Sequence, residues 1–243
     1  MPDRLILLPG WGLGTSALDP LIAALQGLAE PVHVQVEPLP APGSAVPGRW
    51  LDALDERLPN DVWLGGWSLG GMLAAELAAR RGERCRGLLT LASNSCFVAR
   101  SDWPDAMPAE TFEAFLAACE ADPKTLLKRF ASLCAQGAAD PRGLSRRLAV
   151  AEPTSTQTLV EGLHVLAELD TRAALQAFAG PQLHLFAGSD SLVPVGAVSA
   201  LRELLPEAEI GLVEQTSHAF MLEDSQRVAG AIQAFLRERG FDE

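Results

Sequence analysis

Apolar residues along the chain follow two alternating patterns. Short runs of strand length recur at residues 5–8, 32–36, 62–64, 87–91, 183–186 and 210–213. Longer stretches between them, at 16–28, 47–58, 69–81, 195–205 and 225–239, carry apolar residues at helical spacing. The last is preceded by Glu223 and Asp224, which suit the positive end of a helix. Apolar strands returned by helices predict a mostly parallel sheet covered on both faces, an α/β architecture.

The alternation breaks after Leu91, where about ninety residues pass before the next strand run. Connections in α/β units are usually about 2–6 residues, so something is inserted. Segments 108–121, 123–136, 141–151 and 154–169 read as short helices punctuated by Pro, Gly and Asp. The expected organisation is a core of residues 1–96 and 175–243 with a helical cap over 97–174. Segments 38–47 and 101–108 read as ordered loops, and there is no internal repeat.

The 243 residues, 48% hydrophobic and 21% charged, suit an ordinary globular chain and not a disordered one. At that length one α/β domain buries roughly 70–75% of its unfolded surface without metal or disulfide. Acidic residues number 31 against 19 Lys and Arg, and a net charge of −12 argues against a nucleic-acid partner. Cys85, Cys96, Cys119 and Cys134 form no Cys-Xaa-Xaa-Cys pair and have no His in ligand register, so free packed thiols and no metal are expected. The apolar run ending at Pro9 is too short for a signal peptide or membrane span. A cytoplasmic protein without membrane contact is the expectation.

Candidate chemistry begins directly after the strand run at 62–64, with Gly65-Gly66-Trp67-Ser68-Leu69-Gly70-Gly71 leading into an alanine-rich helix. A serine on so tight a strand-to-helix turn needs small neighbours two residues to either side, which Gly66 and Gly70 supply. The competing reading is a glycine-rich turn with an incidental serine. A serine hydroxyl is a poor nucleophile and requires a base with a carboxylate behind it. His33, His164 and His184 fall in strand or helix and read as structural. His218 follows the strand at 210–213 across a short polar stretch, on the edge of an open α/β sheet where ligands bind. Asp190 follows the strand at 183–186 and the turn at Gly188, completing the chain order Ser, Asp, His; taken alone it is also a common turn residue. Leu69 supplies one amide for an oxyanion, and Trp11, in Pro9-Gly10-Trp11-Gly12, is the candidate for the second. The indole of Trp11 reads about equally well as packing. Neither Gly-Xaa-Gly-Xaa-Xaa-Gly nor a Walker-type loop fits these glycines, so no nucleotide cofactor is expected, nor any other.

These residues resemble the α/β-hydrolase superfamily along the whole chain, and more narrowly the pimeloyl-acyl-carrier-protein methyl ester esterases of biotin synthesis. That family carries Gly-Trp-Gly, Gly-Trp-Ser-Leu-Gly-Gly and Asp-Xaa-Leu-Val-Pro, matched here by Gly10-Trp11-Gly12, Gly66–Gly71 and Asp190–Pro194. Asp102-Trp103-Pro104 and Arg129-Phe130 are similar to family segments as well. The resemblance implies an α/β-hydrolase fold and hydrolysis of a methyl ester on a pimeloyl chain borne by acyl carrier protein. Ser68 would attack, His218 relay protons and Asp190 orient it. Trp11 and Leu69 would border the acyl site, and Phe130 would line the channel from the cap. Two features depart from the superfamily: Pro9 stands where His is common, and the chain starts only a few residues before the first strand. Proline offers rigidity in place of the histidine side chain.

An acidic carrier protein is repelled by a charge of −12, so the distribution of charge matters. Over residues 121–150, Lys124, Lys128, Arg129, Arg142, Arg146 and Arg147 face only Asp122 and Asp140, a net of +4 that leaves −16 on the remainder. Lys124 and Lys128 are four apart, as are Arg142 and Arg146, so each pair shares a helix face. A basic docking stripe on the cap is expected, with an ordinary solvated face as the competing reading. A monomer is the expected state. Two alternatives stay open: another serine hydrolase, either a thioesterase or a small-ester carboxylesterase, and a non-catalytic ligand receptor on the same fold. A dehalogenase would need a carboxylate at position 68.

Overall fold

Apolar strands set between helices build one six-stranded sheet in the computed structural model, which describes residues 4–149 and 154–240. The strands are β1 (Leu5–Leu8), β2 (Val34–Val36), β3 (Val62–Trp67), β4 (Cys85–Leu91), β5 (Gln182–Ala187) and β6 (Glu209–Val213). They lie in the order β2-β1-β3-β4-β5-β6, every neighbouring pair parallel. β1, β3 and β5 are buried along their whole length, as their uninterrupted apolar runs require, while β2 and β6 at the edges are only partly covered. β3 runs three residues beyond the expected Leu64, because Gly65 and Gly66 still pair with Leu89 and Thr90 in the middle of the sheet. From β2 the chain crosses β1 to reach β3, so the direction of winding reverses between β1 and β3. Ligands in such sheets bind beyond the carboxyl ends of the strands at that point.

Helices α1 (Asp19–Gln26), α2 (Pro47–Arg57) and α3 (Leu69–Arg81) follow the first three strands. The expected helix over 16–28 is shorter: it opens as a tight turn over Thr15–Leu18, with Pro20 in the first turn of α1. α3 is anchored to α2 by Arg81, whose side chain is fully buried yet satisfied by Asp55 Oδ1 at 2.7 Å and by the carbonyls of Leu58 and Pro59.

Between β4 and β5 stand α4 (Ala109–Ala121), α5 (Pro123–Ala135), α6 (Pro141–Leu148), α7 (Thr156–Glu168) and α8 (Arg172–Ala177). Asp122, Asp140 and Ser155 cap the amino ends of α5, α6 and α7, each accepting a backbone N–H three residues on. The expected helix over 141–151 ends at Leu148, and residues 150 and 151 lie outside the described residues. α8 has no counterpart in the sequence reading; it packs on α3, and the expected boundary after residue 174 falls inside it. The two stems of the insertion are tied together at its base. Thr171 N–H donates to the Ser95 carbonyl at 2.9 Å, and Arg172 bridges Asp170 at 2.6 Å and Asp102 at 2.9 Å. That guanidinium holds the Asp170 carboxyl down to about 2. The chain ends through α9 (Gly196–Leu204), α10 (Phe220–Glu223) and α11 (Ser225–Glu238); α10, a single turn, is too short to leave a periodic signal. Among the described residues no helix is long and apolar enough to cross a membrane.

Candidate active site

Ser68 joins β3 to α3 with φ 54° and ψ −119°, a conformation that costs a residue with a Cβ about 1–3 kcal/mol. Its amide donates to the Leu91 carbonyl of β4 at 2.9 Å, and its own carbonyl accepts from Gly71, Met72 and the Ser93 hydroxyl. The glycines around it are dictated by contact. A Cβ on Gly66 would lie 2.3 Å from the Gly70 backbone, and one on Gly70 would lie 2.4 Å from the carbonyl oxygens of Leu8 and Pro9. Leu69 opens α3, where its N–H has no intrahelical acceptor and the positive end of the helix dipole lies.

Strand register brings the Trp11 loop alongside. Leu8 of β1 pairs with Gly66 of β3, so Trp11 and Leu69, each three residues further on, leave neighbouring strands at the same edge. The Trp11 side chain does not face solvent: its indole N–H donates to the Leu159 carbonyl of α7 at 2.8 Å. Its ring packs edge-on against Phe115 of α4 and Phe130 of α5, with centroids 5.6 and 5.0 Å away. Both Trp11 and the buried Phe130 therefore belong to one aromatic contact between sheet edge and insertion. A cavity of about 100 Å3 adjoins the other side of this loop, among Gly10, Trp11, Gly12, Leu39, Trp50 and Leu159.

The loops carrying Asp190 and His218 are set by β5 and β6 in the same way. Gly188 N–H donates to the Val213 carbonyl and Ser189 N–H to the Thr216 carbonyl, holding the two loops side by side. Asp190 Oδ2 lies 2.8 Å from His218 Nδ1, both side chains being essentially inaccessible to solvent. Asp190 Oδ1 accepts the backbone N–H groups of Leu192 at 2.8 Å and Val193 at 3.0 Å. His218 Nε2 is buried and makes no hydrogen bond among the described residues. A histidine whose Nδ1 faces a fixed carboxylate and whose Nε2 is unengaged is poised as a proton acceptor. Glu223 of α10 accepts both the N–H and the hydroxyl of Ser217 and so braces the His218 loop from behind. Burial, and secondarily the Asp190 charge, pushes the neighbouring Cys134 thiol well up, keeping it neutral.

The remaining histidines lie elsewhere. His33 and His164 are exposed on the surface, while His184 is buried in β5 against the Thr90 hydroxyl at 2.7 Å, and burial lowers its pKa to about 4. The six basic residues are all exposed on α5 and α6, and none forms an ion pair among the described residues. Lys128 and Arg129 line one open groove, Arg142 and Arg146 line another, and Ser132 belongs to both. Lys124 stands apart at the start of α5, and Arg147 turns back to the Leu222 carbonyl of α10 at 3.3 Å. Trp67, Ser93 and Glu223 also touch the site: Trp67 is a letter of the elbow motif, and Ser93 carries no sequence signal. Glu223, expected with Asp224 at the positive end of the last helix, instead ends α10 and holds Ser217 while Asp224 caps α11.

A family model described as the alpha/beta hydrolase fold matches residues 48–225. The chain belongs to the alpha/beta hydrolase family. Among curated relatives of this hydrolase, the biotin biosynthesis bifunctional protein BioHC of Cellvibrio japonicus is 37% identical over 95% of the chain. That match covers 47% of BioHC, so this hydrolase spans about half the length of that relative. The pimeloyl-[acyl-carrier protein] methyl ester esterase of Aromatoleum aromaticum is 34% identical over 97% of the chain and 98% of its own length. A solved hydrolase from Oleispira antarctica superposes with a TM-score of 0.82 at 15% identity, over 98% of this hydrolase and 92% of that one, a likeness of fold alone.

Proposed function

We propose that this hydrolase is a serine carboxylesterase that cleaves the methyl ester of pimeloyl-acyl-carrier protein, releasing methanol and the free acid in biotin synthesis. The observation that carries the reading is the end-to-end match to the Aromatoleum aromaticum esterase, which spans both Ser68 and the Asp190–His218 pair. Ser68 Oγ attacks the ester carbonyl while His218 Nε2 takes its proton, and Asp190 stabilises the imidazolium through Nδ1. The amides of Leu69 and Trp11 receive the oxyanion, aided by the helix dipole of α3. Collapse expels methanol, protonated by His218, and leaves an acyl-Ser68 ester. Water, deprotonated by His218, then attacks that ester and regenerates Ser68. Phe130 and the Trp11 ring line the path of the apolar acyl chain beneath the helical insertion between β4 and β5.

The carrier protein is acidic, and Lys128, Arg129, Arg142 and Arg146, exposed on the adjoining grooves of α5 and α6 and without ion-pair partners among the described residues, supply the opposite charge. Lys124 and Arg147 extend that face. Four free buried cysteines suit a reducing cytoplasm.

Incubating the protein with pimeloyl-acyl-carrier-protein methyl ester and following the methyl group by mass spectrometry tests the reading. The expected result is complete demethylation that Ser68→Ala abolishes. Intact carrier ester with rapid turnover of a small soluble ester would identify a different serine hydrolase. Tight binding without turnover would identify a receptor.

A further inference from the structure

One side chain touches the nucleophile's strand, the base and the oxyanion loop together. Trp67 is the last residue of β3, next to Ser68, and is wholly buried. Its indole N–H donates to the backbone carbonyl of His218 at 3.0 Å. The ring centroid stands 5.5 Å from the imidazole, tilted by 44°. On the other side, Gly10 of the oxyanion loop is pressed against the ring, so that a Cβ there would come within 2.9 Å of it.

We infer that Trp67 is a positioning residue that holds His218 in register with Ser68, the indole N–H acting on the imidazole through the His218 carbonyl. The need for such a tie follows from the sheet. Ser68 leaves β3 and His218 leaves β6, with β4 and β5 between them, so no strand pairing relates the two residues. The pairing of β5 with β6 relates His218 to Asp190 only. The Asp190 contact fixes the Nδ1 end of the ring, and Glu223, Ser189 and Cys134 hold the neighbouring main chain, but none of these contacts ties the loop to β3 and the nucleophile. A hydrogen bond from the residue adjoining the nucleophile to the main chain of the base supplies that missing tie. Its energy is protected by burial, since a carbonyl deprived of the indole donor gains no water in exchange.

This inference rests on the serine-hydrolase part of the reading above and not on the carrier substrate, so it is tested with a small soluble ester. Trp67→Phe removes the donor, and 3-benzothienylalanine placed at position 67 removes it while keeping the shape of the indole. Both should lower kcat at least about tenfold with KM changed less than about twofold. Both should also shift or broaden the downfield proton resonance of His218 Nδ1–H, which is read without turnover. Full activity and an unchanged resonance in the benzothienyl protein would overturn the inference, whatever Trp67→Phe does to folding. Absence of esterase activity in the unsubstituted protein would instead defeat the functional reading, while the resonance still tests the tie.

Discussion

Replacing Asp190 by Asn alters one atom of the site, and the structure dictates which way the amide turns. Oδ1 of Asp190 accepts two backbone N–H groups, from Leu192 and Val193, while Oδ2 faces His218 Nδ1. In Asp190→Asn the amide oxygen keeps the two backbone donors. The reverse orientation would set an NH2 against two N–H groups and leave both unsatisfied in a buried place, costing roughly 2–6 kcal/mol at about 1–3 kcal/mol each. The NH2 is thereby aimed at Nδ1, which must accept, so the imidazole proton moves to Nε2. That nitrogen is the one that the proposed mechanism needs free to take the proton of Ser68.

A base in the wrong tautomer lowers kcat by about 10⁴, close to 5 kcal/mol of barrier, while the packing around it stays intact. The assay is steady-state hydrolysis of a small chromogenic ester, with thermal melting to verify the fold. The expected outcome is a near-total loss of kcat with KM little changed. A folded Asp190→Asn protein retaining more than a tenth of kcat would show that the Asp190–His218 contact does not set the tautomer, and the assignment of these roles would fail with it.

His184 makes stability depend on acid in a defined window. Its pKa is lowered to about 4 by burial, so the folded protein keeps it neutral while the unfolded chain binds a proton below about 6.5. Stability from this group is therefore complete above about pH 6.5 and drains as the pH falls toward 4, by about 3 kcal/mol in all. Urea melts at pH 7 and 4.5 should show the protein losing about 2 kcal/mol more than His184→Gln; parallel losses would remove His184 from the account. On the outer face of α5 and α6, joint Arg142→Glu and Arg146→Glu should cut kcat/KM for the carrier-bound ester about tenfold at low salt, and less at high salt, while sparing a small ester. Equal losses on both substrates would indicate a damaged fold instead of a docking surface.

What could be read beforehand is what depends on neighbours in the chain. The interior strands β1, β3 and β5 show as apolar runs because parallel strands there are buried on both faces. The turn at Ser68 shows because Gly66 is imposed by the Gly70 backbone within the same strand-turn-helix unit, while Gly70 answers to Leu8 and Pro9 of the neighbouring strand and loop. β3 was cut short at Leu64 since glycine carries no hydrophobic signal even where its backbone is fully paired. α8 and α10 were missed because six and four residues are too few to display a helical period. The proximity of Asp190 to His218 was inferred from order along the chain, but the contact depends on the register of β5 against β6, which no local pattern encodes.

Contacts between the insertion and the sheet edge were the least legible, and they bear most directly on how the parts work together. α5 carries Lys128 and Arg129 on its exposed side and buries Phe130 against Trp11 on the other. Four residues later its Cys134 carbonyl accepts the Ala219 amide, one residue past His218. A helix repeats every 3.6 residues, so Phe130 and Cys134 share the inner face by the same geometry that exposes the basic side chains on the outer one. The net charge of −12 averages over this division and conceals it. A displacement of α5 away from the sheet edge must break the Cys134–Ala219 hydrogen bond and separate Phe130 from Trp11. The loop after β1 that carries Trp11 and the loop after β6 that carries His218 are therefore mechanically linked through one helix.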